Sequence, residues 1–158
     1  MKIKQTKRKI MKDQVSVFHE QIVELIKKYQ FRDRDQILSC GISVSQCYIL
    51  ETLHTHGSLT VGVLAEKMYL SISTITRVVD QLVKKGYVIR EQDTNDGRVY
   101  FNKMTKSGEE VYLKSWDNIF KSEKAILDNF DSEQKELLID FLKKLNKSVS
   151  EWHSTCKV

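Results

Sequence analysis

The chain has 158 residues, 41% of them hydrophobic and 30% charged, with a formal net charge of +5. That length suits one well-buried domain, and the composition excludes wholesale disorder. Proline is absent, which argues against a long all-β chain with its proline-bearing turns and edges.

The first twelve residues carry six bases and no acids. They read either as a DNA-contacting arm or as a plain basic tail, and no apolar segment of the signal-peptide kind follows them. From about 13 to 31, Val15, Phe18, Ile22, Leu25 and Tyr29 recur at three–four spacing, which predicts an amphipathic helix. Arg32-Asp33-Arg34-Asp35 reads as its polar exit. Ser43-Val44-Ser45-Gln46 has the S-x-x-Q form of a capping box. It predicts a short helix through Leu53, with Cys47, Leu50 and Leu53 inward. Leu59 reads as a short extended link. Thr60 then caps a helix from Val61 to Met68, and Tyr69-Leu70-Ser71 makes a tight turn. Ser71 caps the next helix, Ile72 to Lys85, which Gly86 closes. Ile72, Ile75, Val78, Val79 and Leu82 form its apolar stripe. Ser73, Thr74, Thr76, Arg77 and Gln81 form the opposite face.

Beyond Gly86 the apolar period shortens to that of a strand. Residues 87–91 and 99–104 read as a hairpin with a polar tip at 93–98. Thr105 caps a long helix to about Asn129, and Asp131-Ser132-Glu133 starts the last one. In that last helix Leu138, Phe141, Leu145, Val149 and Trp152 form a coiled-coil-like seam. Residues 58–108 hold eight bases and five acids, whereas 109–158 hold eight bases and ten acids. The positive charge therefore gathers in the first residues and in the middle of the chain.

The fold class expected from this order is mainly α with a small β-hairpin wing, a winged helix-turn-helix with N- and C-terminal dimerisation helices. Small polar and basic side chains on the second short helix suit phosphates and base edges in a major groove. A tip with Asn95 and Arg98 suits the narrower, more negative minor groove. The candidate DNA-binding residues are Ser71, Ser73, Thr74, Thr76, Arg77, Asn95, Asp96 and Arg98, with Asp96 bracing Arg98. A winged-helix module for protein–protein contact, without specific DNA binding, is the alternative.

The residues from Thr60 to Gly108 are more specific than the architecture. Leu64-Ala65, Thr76-Arg77-x-Val79-Asp80-x-Leu82 through Gly86, Asp96-Gly97-Arg98, and Thr105-x-x-Gly108 together make the chain resemble the MarR family of bacterial transcriptional regulators. Many members carry Arg-Arg or Lys-Arg after the wing aspartate; here Gly97 stands before Arg98. The resemblance spans about 13–152. It implies a single domain with dimerisation helices at 13–35 and 109–155 and a winged DNA-binding lobe at 43–108. It further implies a cytoplasmic homodimer on a pseudo-palindromic double-stranded operator, most often a repressor. A small-molecule effector would bind between the dimerisation helices and the lobe.

Cys40, Cys47 and Cys156 form an odd, sparse set that fits a reducing cytoplasm better than a disulfide framework. They are candidates for an effector or redox site, holding a soft ion or acting as an oxidation switch. The other reading is a buried small hydrophobe at Cys47 and an incidental Cys156. His54 and His56 are poorly spaced to chelate from one helix face. With no C-x-x-C or H-E-x-x-H, no metal and no cofactor are expected. No phosphate loop, G-x-S-x-G or carboxylate pair marks an enzyme, and no membrane association is expected.

Overall fold

In the computed structural model the backbone is described over residues 2–155 and the side chains over 13–152, position 35 apart. The side chains of the basic stretch 1–12, and Cys156, lie outside the described residues. The chain divides into two compact units, Met1–Ile119 and Phe120–Val158.

The first unit opens with α1, Lys2–Leu38, which continues through the run expected to be a polar exit. Asp33 is the reason: it is only 6% exposed. Its Oδ1 accepts from Arg32 Nε at 2.9 Å and its Oδ2 from the Tyr48 hydroxyl at 2.6 Å. A charged run that looked solvated thus carries a satisfied, buried carboxylate. Ile37 and Ile42 are buried and fix the turn that follows.

The second helix, α2, spans Val44–His56 and carries the expected reciprocal capping box. Gln46 N–H donates to Ser43 Oγ at 3.3 Å, and Ser43 N–H donates to Gln46 Oε1 at 3.1 Å. Cys47, Ile49, Leu50 and Leu53 are buried. Leu59–Thr60 is a short strand, β1, where the sequence suggested only a link. Two residues are too few to show a strand period. They pair antiparallel with a strand far along the chain, Leu59 opposite Asn102 and Thr60 opposite Phe101.

Thr60 caps α3, Val61–Lys67. Tyr69 takes a left-handed conformation, φ +53°, in the turn that follows. Ser71 then caps α4, Ile72–Lys84. Ile75, Val79 and Leu82 of α4 are fully buried. Ile72, expected in the same stripe, is 62% exposed instead, because the helix tip projects past the core it rests on. Gly86 ends the helix at φ +74°, a conformation that glycine adopts without steric cost.

Val88–Gln92 (β2) and Tyr100–Met104 (β3) form the hairpin, with Val88 opposite Met104 and Gln92 opposite Tyr100. The sheet order is β1-β3-β2. Thr105 then caps α5, Lys106–Leu127: its Oγ1 accepts from Gly108 N–H at 3.1 Å and donates to Gly86 O at 2.7 Å. Gly108 is required here. A Cβ at that position would penetrate the Tyr87 carbonyl and press on Met104 Cγ.

The second unit holds the end of α5 and α6, Ser132–Thr155. Asp131 caps α6, its Oδ1 accepting from Gln134 N–H at 2.8 Å while its own N–H donates to Gln134 Oε1 at 3.1 Å. Within the seam, Leu138 and Leu145 are half-buried. Phe141, Val149 and Trp152 are 66%, 55% and 66% exposed. Among the described residues, no helix is long and apolar enough to cross a membrane.

Candidate nucleic-acid interface

The helix α4 is held on its buried side by Ile75, Val79 and Leu82 and, around its C-terminal half, by polar contacts. Gln46, buried at the start of α2, donates from Nε2 to Gln81 Oε1 at 2.9 Å. Lys85 Nζ donates to Gln46 Oε1 at 2.9 Å and to the Gly41 carbonyl at 2.8 Å. Arg90 on β2 pairs with Asp80 at 2.6 Å. The capping glutamine of α2 is therefore also the anchor of α4, and Asp80 ties α4 to the hairpin. Gln81 lies on the exposed polar face, as its position in the helix predicts, and also serves the anchor through its bond with Gln46. Gln46, Lys85, Asp80 and Arg90 were missed as positioning residues. The capping box marks Gln46 and the family motif includes Asp80, whereas nothing in the sequence marks Lys85 or Arg90.

The exposed side of α4 presents Ser73 and Arg77, with Thr74 and Thr76 half-buried beside them. Among the described residues Arg77 has no hydrogen bond or ion pair, so its guanidinium is available. The hydroxyls are more engaged. Ser71 Oγ caps Thr74 N–H at 3.2 Å and lies 3.0 Å from Ser73 Oγ and 2.8 Å from Thr74 Oγ1. Thr76 donates to the Ile72 carbonyl at 2.8 Å.

The hairpin tip is organised by two aspartates. Asp93 Oδ1 accepts from the N–H groups of Asn95 at 2.7 Å and Asp96 at 2.8 Å. These bonds, that to Asp96 first, hold its carboxyl below the ordinary range. Asp96 Oδ1 accepts from the Arg98 backbone N–H at 3.0 Å. The bracing expected between Asp96 and Arg98 thus acts on the main chain, and the Arg98 guanidinium stays exposed. A side chain at Gly97 would press on the Gln92 amide, 3.1 Å from an added Cβ, and this amide donates to the Gly97 carbonyl.

Cys40 and Cys47 lie elsewhere. Cys47 is buried in the core with Cys40 packed against that core. Burial above all, then the nearby Glu51 charge, pushes the Cys47 thiol up to about 12. At neutral pH it stays protonated, a poor nucleophile and metal ligand. No group of three His, Cys, Asp or Glu side chains is arranged to hold a metal ion among the described residues.

Where α1, α2 and α5 approach one another, a set of polar and aromatic side chains collects. Tyr48 and Glu51 face Asp33, and His54 Nδ1 lies 3.8 Å from Glu109 Oε1. His54 packs on Tyr112 at 4.8 Å between ring centroids, and Tyr112 stacks with Trp116 at 6.5 Å. Burial first, and the Asp33 carboxylate second, raise the Glu51 carboxyl.

The pattern that defines the MarR family matches residues 42–100, the stretch that holds the cap of α2, α3, α4 and most of the hairpin. The HTH-type transcriptional regulator YsmB of Bacillus subtilis is 31% identical over 126 residues, covering 80% of this chain and 82% of the relative. The HTH-type transcriptional repressor MdtR of the same organism is 29% identical over 103 residues, 65% of this chain and 64% of MdtR. A solved MarR family protein from Bacillus stearothermophilus superposes with a TM-score of 0.80 at 25% identity, over 88% of this chain and 97% of that one. Pattern, sequence and fold agree: the chain belongs to the MarR family, and is a helix-turn-helix transcriptional regulator rather than an enzyme.

Proposed function

We propose that the protein is a homodimeric repressor of the bacterial cytoplasm that binds a pseudo-palindromic duplex operator and is released by a small-molecule effector. The observation that carries the DNA reading is Arg77, exposed and unpaired on a helix whose other side is fixed by the core, by Gln46 and Lys85, and by the Asp80–Arg90 pair. A helix so held presents its exposed side chains in one geometry, which a major groove requires. Ser71, Ser73, Thr74 and Thr76 flank Arg77 on α4, while Asn95, Asp96 and Arg98 form the wing that follows the adjacent minor groove. Repression is supported by likeness to MdtR, whose name states that role. Residues 13–35 and 109–155 supply the dimerisation helices, and the lobe at 43–108 reads the DNA. The effector site is the polar and aromatic set around Glu51, His54 and Tyr112, because it joins α1 to the lobe. The buried, protonated thiol of Cys47 favours its reading as a core residue.

Duplex binding measured across salt concentrations tests this reading. Each phosphate neutralised lowers the slope of log K against log salt by about 0.9. A slope steeper than about −3 together with preference for one sequence is the expected result. A flat slope, or equal binding to all sequences, would turn the winged lobe into a module for protein contact.

A further inference from the structure

We propose that Ile72 reads the 5-methyl group of a thymine in the operator, which makes it a specificity-determining residue of α4; the proposal rests on the DNA-binding reading above. Ile72 is the first helical residue after the Ser71 cap. It is 62% exposed, whereas Ile75, Val79 and Leu82 of the same helix are fully buried. The N-terminal residues of a recognition helix are those that come closest to base edges. The polar groups of this turn already bond to one another. Ser71 is shared with the Thr74 N–H and with the hydroxyls of Ser73 and Thr74, and the Thr76 hydroxyl donates to the carbonyl of Ile72 itself. What the tip offers outward without a competing partner is the branched aliphatic surface of Ile72. In the major groove the base edges present hydrogen-bond donors and acceptors, and the one methyl group among them is that of thymine. Contact between the two removes apolar surface from water on both sides and selects thymine over cytosine at that position. Arg77, five residues on and therefore on a different side of the helix, supplies the charged contact that a methyl reader lacks.

The experiment begins with selection of a random-sequence duplex pool on the full-length protein. Each thymine of the enriched sequence is then exchanged in turn for deoxyuridine, which deletes only the methyl. At one symmetric pair of thymines the exchange should weaken wild-type binding by about fourfold per half-site, the value of one buried methyl-sized group. The same exchange should leave the affinity of Ile72→Ala unchanged, while Ile72→Val keeps most of the sensitivity. Circular dichroism of Ile72→Ala should match wild type, since an exposed tip residue is replaced. A pool that yields no enriched sequence overturns the DNA-binding reading and this proposal with it. An enriched operator in which no exchange distinguishes wild type from Ile72→Ala overturns this proposal alone.

Discussion

At the scale of single residues, the contrast between Arg77 and its hydroxyl neighbours decides where binding energy comes from. Ser71, Thr74 and Thr76 already hold hydrogen bonds within the helix, so each must break or share one to reach DNA. Arg77 gives up only water. Arg77→Ala should therefore weaken operator binding by about 1–3 kcal/mol if its contact is bidentate to a base, with helix content and assembly intact. Fluorescence anisotropy with the selected duplex checks this, and an unchanged affinity would refute the assignment. Glu51 shows the opposite case, a charge held where it is unwelcome. Its raised carboxyl, caused first by burial and then by Asp33, means that the folded protein binds its proton more tightly than the unfolded chain does. The penalty of ionisation is absent at pH below the ordinary glutamate range and complete once pH exceeds the raised folded value. Glu51→Gln should thus raise the melting temperature at pH 7, and the gain should fade as pH is lowered toward about 4. Thermal melts across that range test the sign.

At the scale of elements, the starts of α2 to α6 were readable because caps are local chemistry, whereas α1 begins at Lys2 and not near residue 13 as its apolar period suggested. Ser43, Thr60, Ser71, Thr105 and Asp131 each meet a backbone N–H three residues on. What could not be read depends on partners distant in sequence. The Arg32–Asp35 run looks like an exit until Tyr48 closes on Asp33. Gln81 is a surface residue, and only the fold shows that Gln46 reaches it. The strand β1 exists only because β3 lies beside it. The aliphatic of a helix tip reads like those of its middle, so Ile72 was placed in the core by its type. The motif T-x-x-G is a further case in which the letters were plain and the reason was spatial. Thr105 and Gly108 dock the start of α5 on the end of α4, with the Tyr87 carbonyl taking the Thr105 N–H at 3.0 Å. Gly108→Ala places a methyl into that carbonyl and should cost about 1–3 kcal/mol. Gly62→Ala, within α3, where an added Cβ would meet Thr60 Oγ1 at an ordinary contact distance of 3.9 Å, should stabilise by a few tenths to about 1 kcal/mol. Opposite shifts in melting temperature for the two glycines are the expected outcome.

At the scale of the whole molecule, assembly decides whether two recognition helices can act together. One such helix reads half a site, and two must lie about 34–36 Å apart to meet successive major grooves. The seam of α6 leaves Phe141, Val149 and Trp152 largely exposed, and on α1 Phe18, Leu25 and Phe31 are exposed as well. Each of these apolar faces, taken by itself, fits an interaction surface, and a second copy of the same chain is the partner a two-fold operator calls for. Sedimentation velocity should find a dimer at micromolar concentration. Truncation at Asp131 removes the seam and should give a monomer or an aggregate without tight operator binding, although Arg77 and Arg98 are untouched. A full-length monomer that binds a single half-site as tightly as the palindrome would refute the dimer.

The strand order β1-β3-β2 has a consequence for how the lobe opens. One strand, β3, grips the chain both just before α3, at Leu59, and just after α4, at Val88. The Asn102 side chain adds a bond to the Leu59 carbonyl at 3.0 Å. The two helices α3 and α4 are thus an excursion pinned at its two ends by the same clasp. Neither helix can leave while the clasp holds, and both lose their footing when it opens. In hydrogen–deuterium exchange the amides of α3, α4 and β3 should share one opening free energy, close to that of global unfolding, whereas the tip at 93–98 exchanges early.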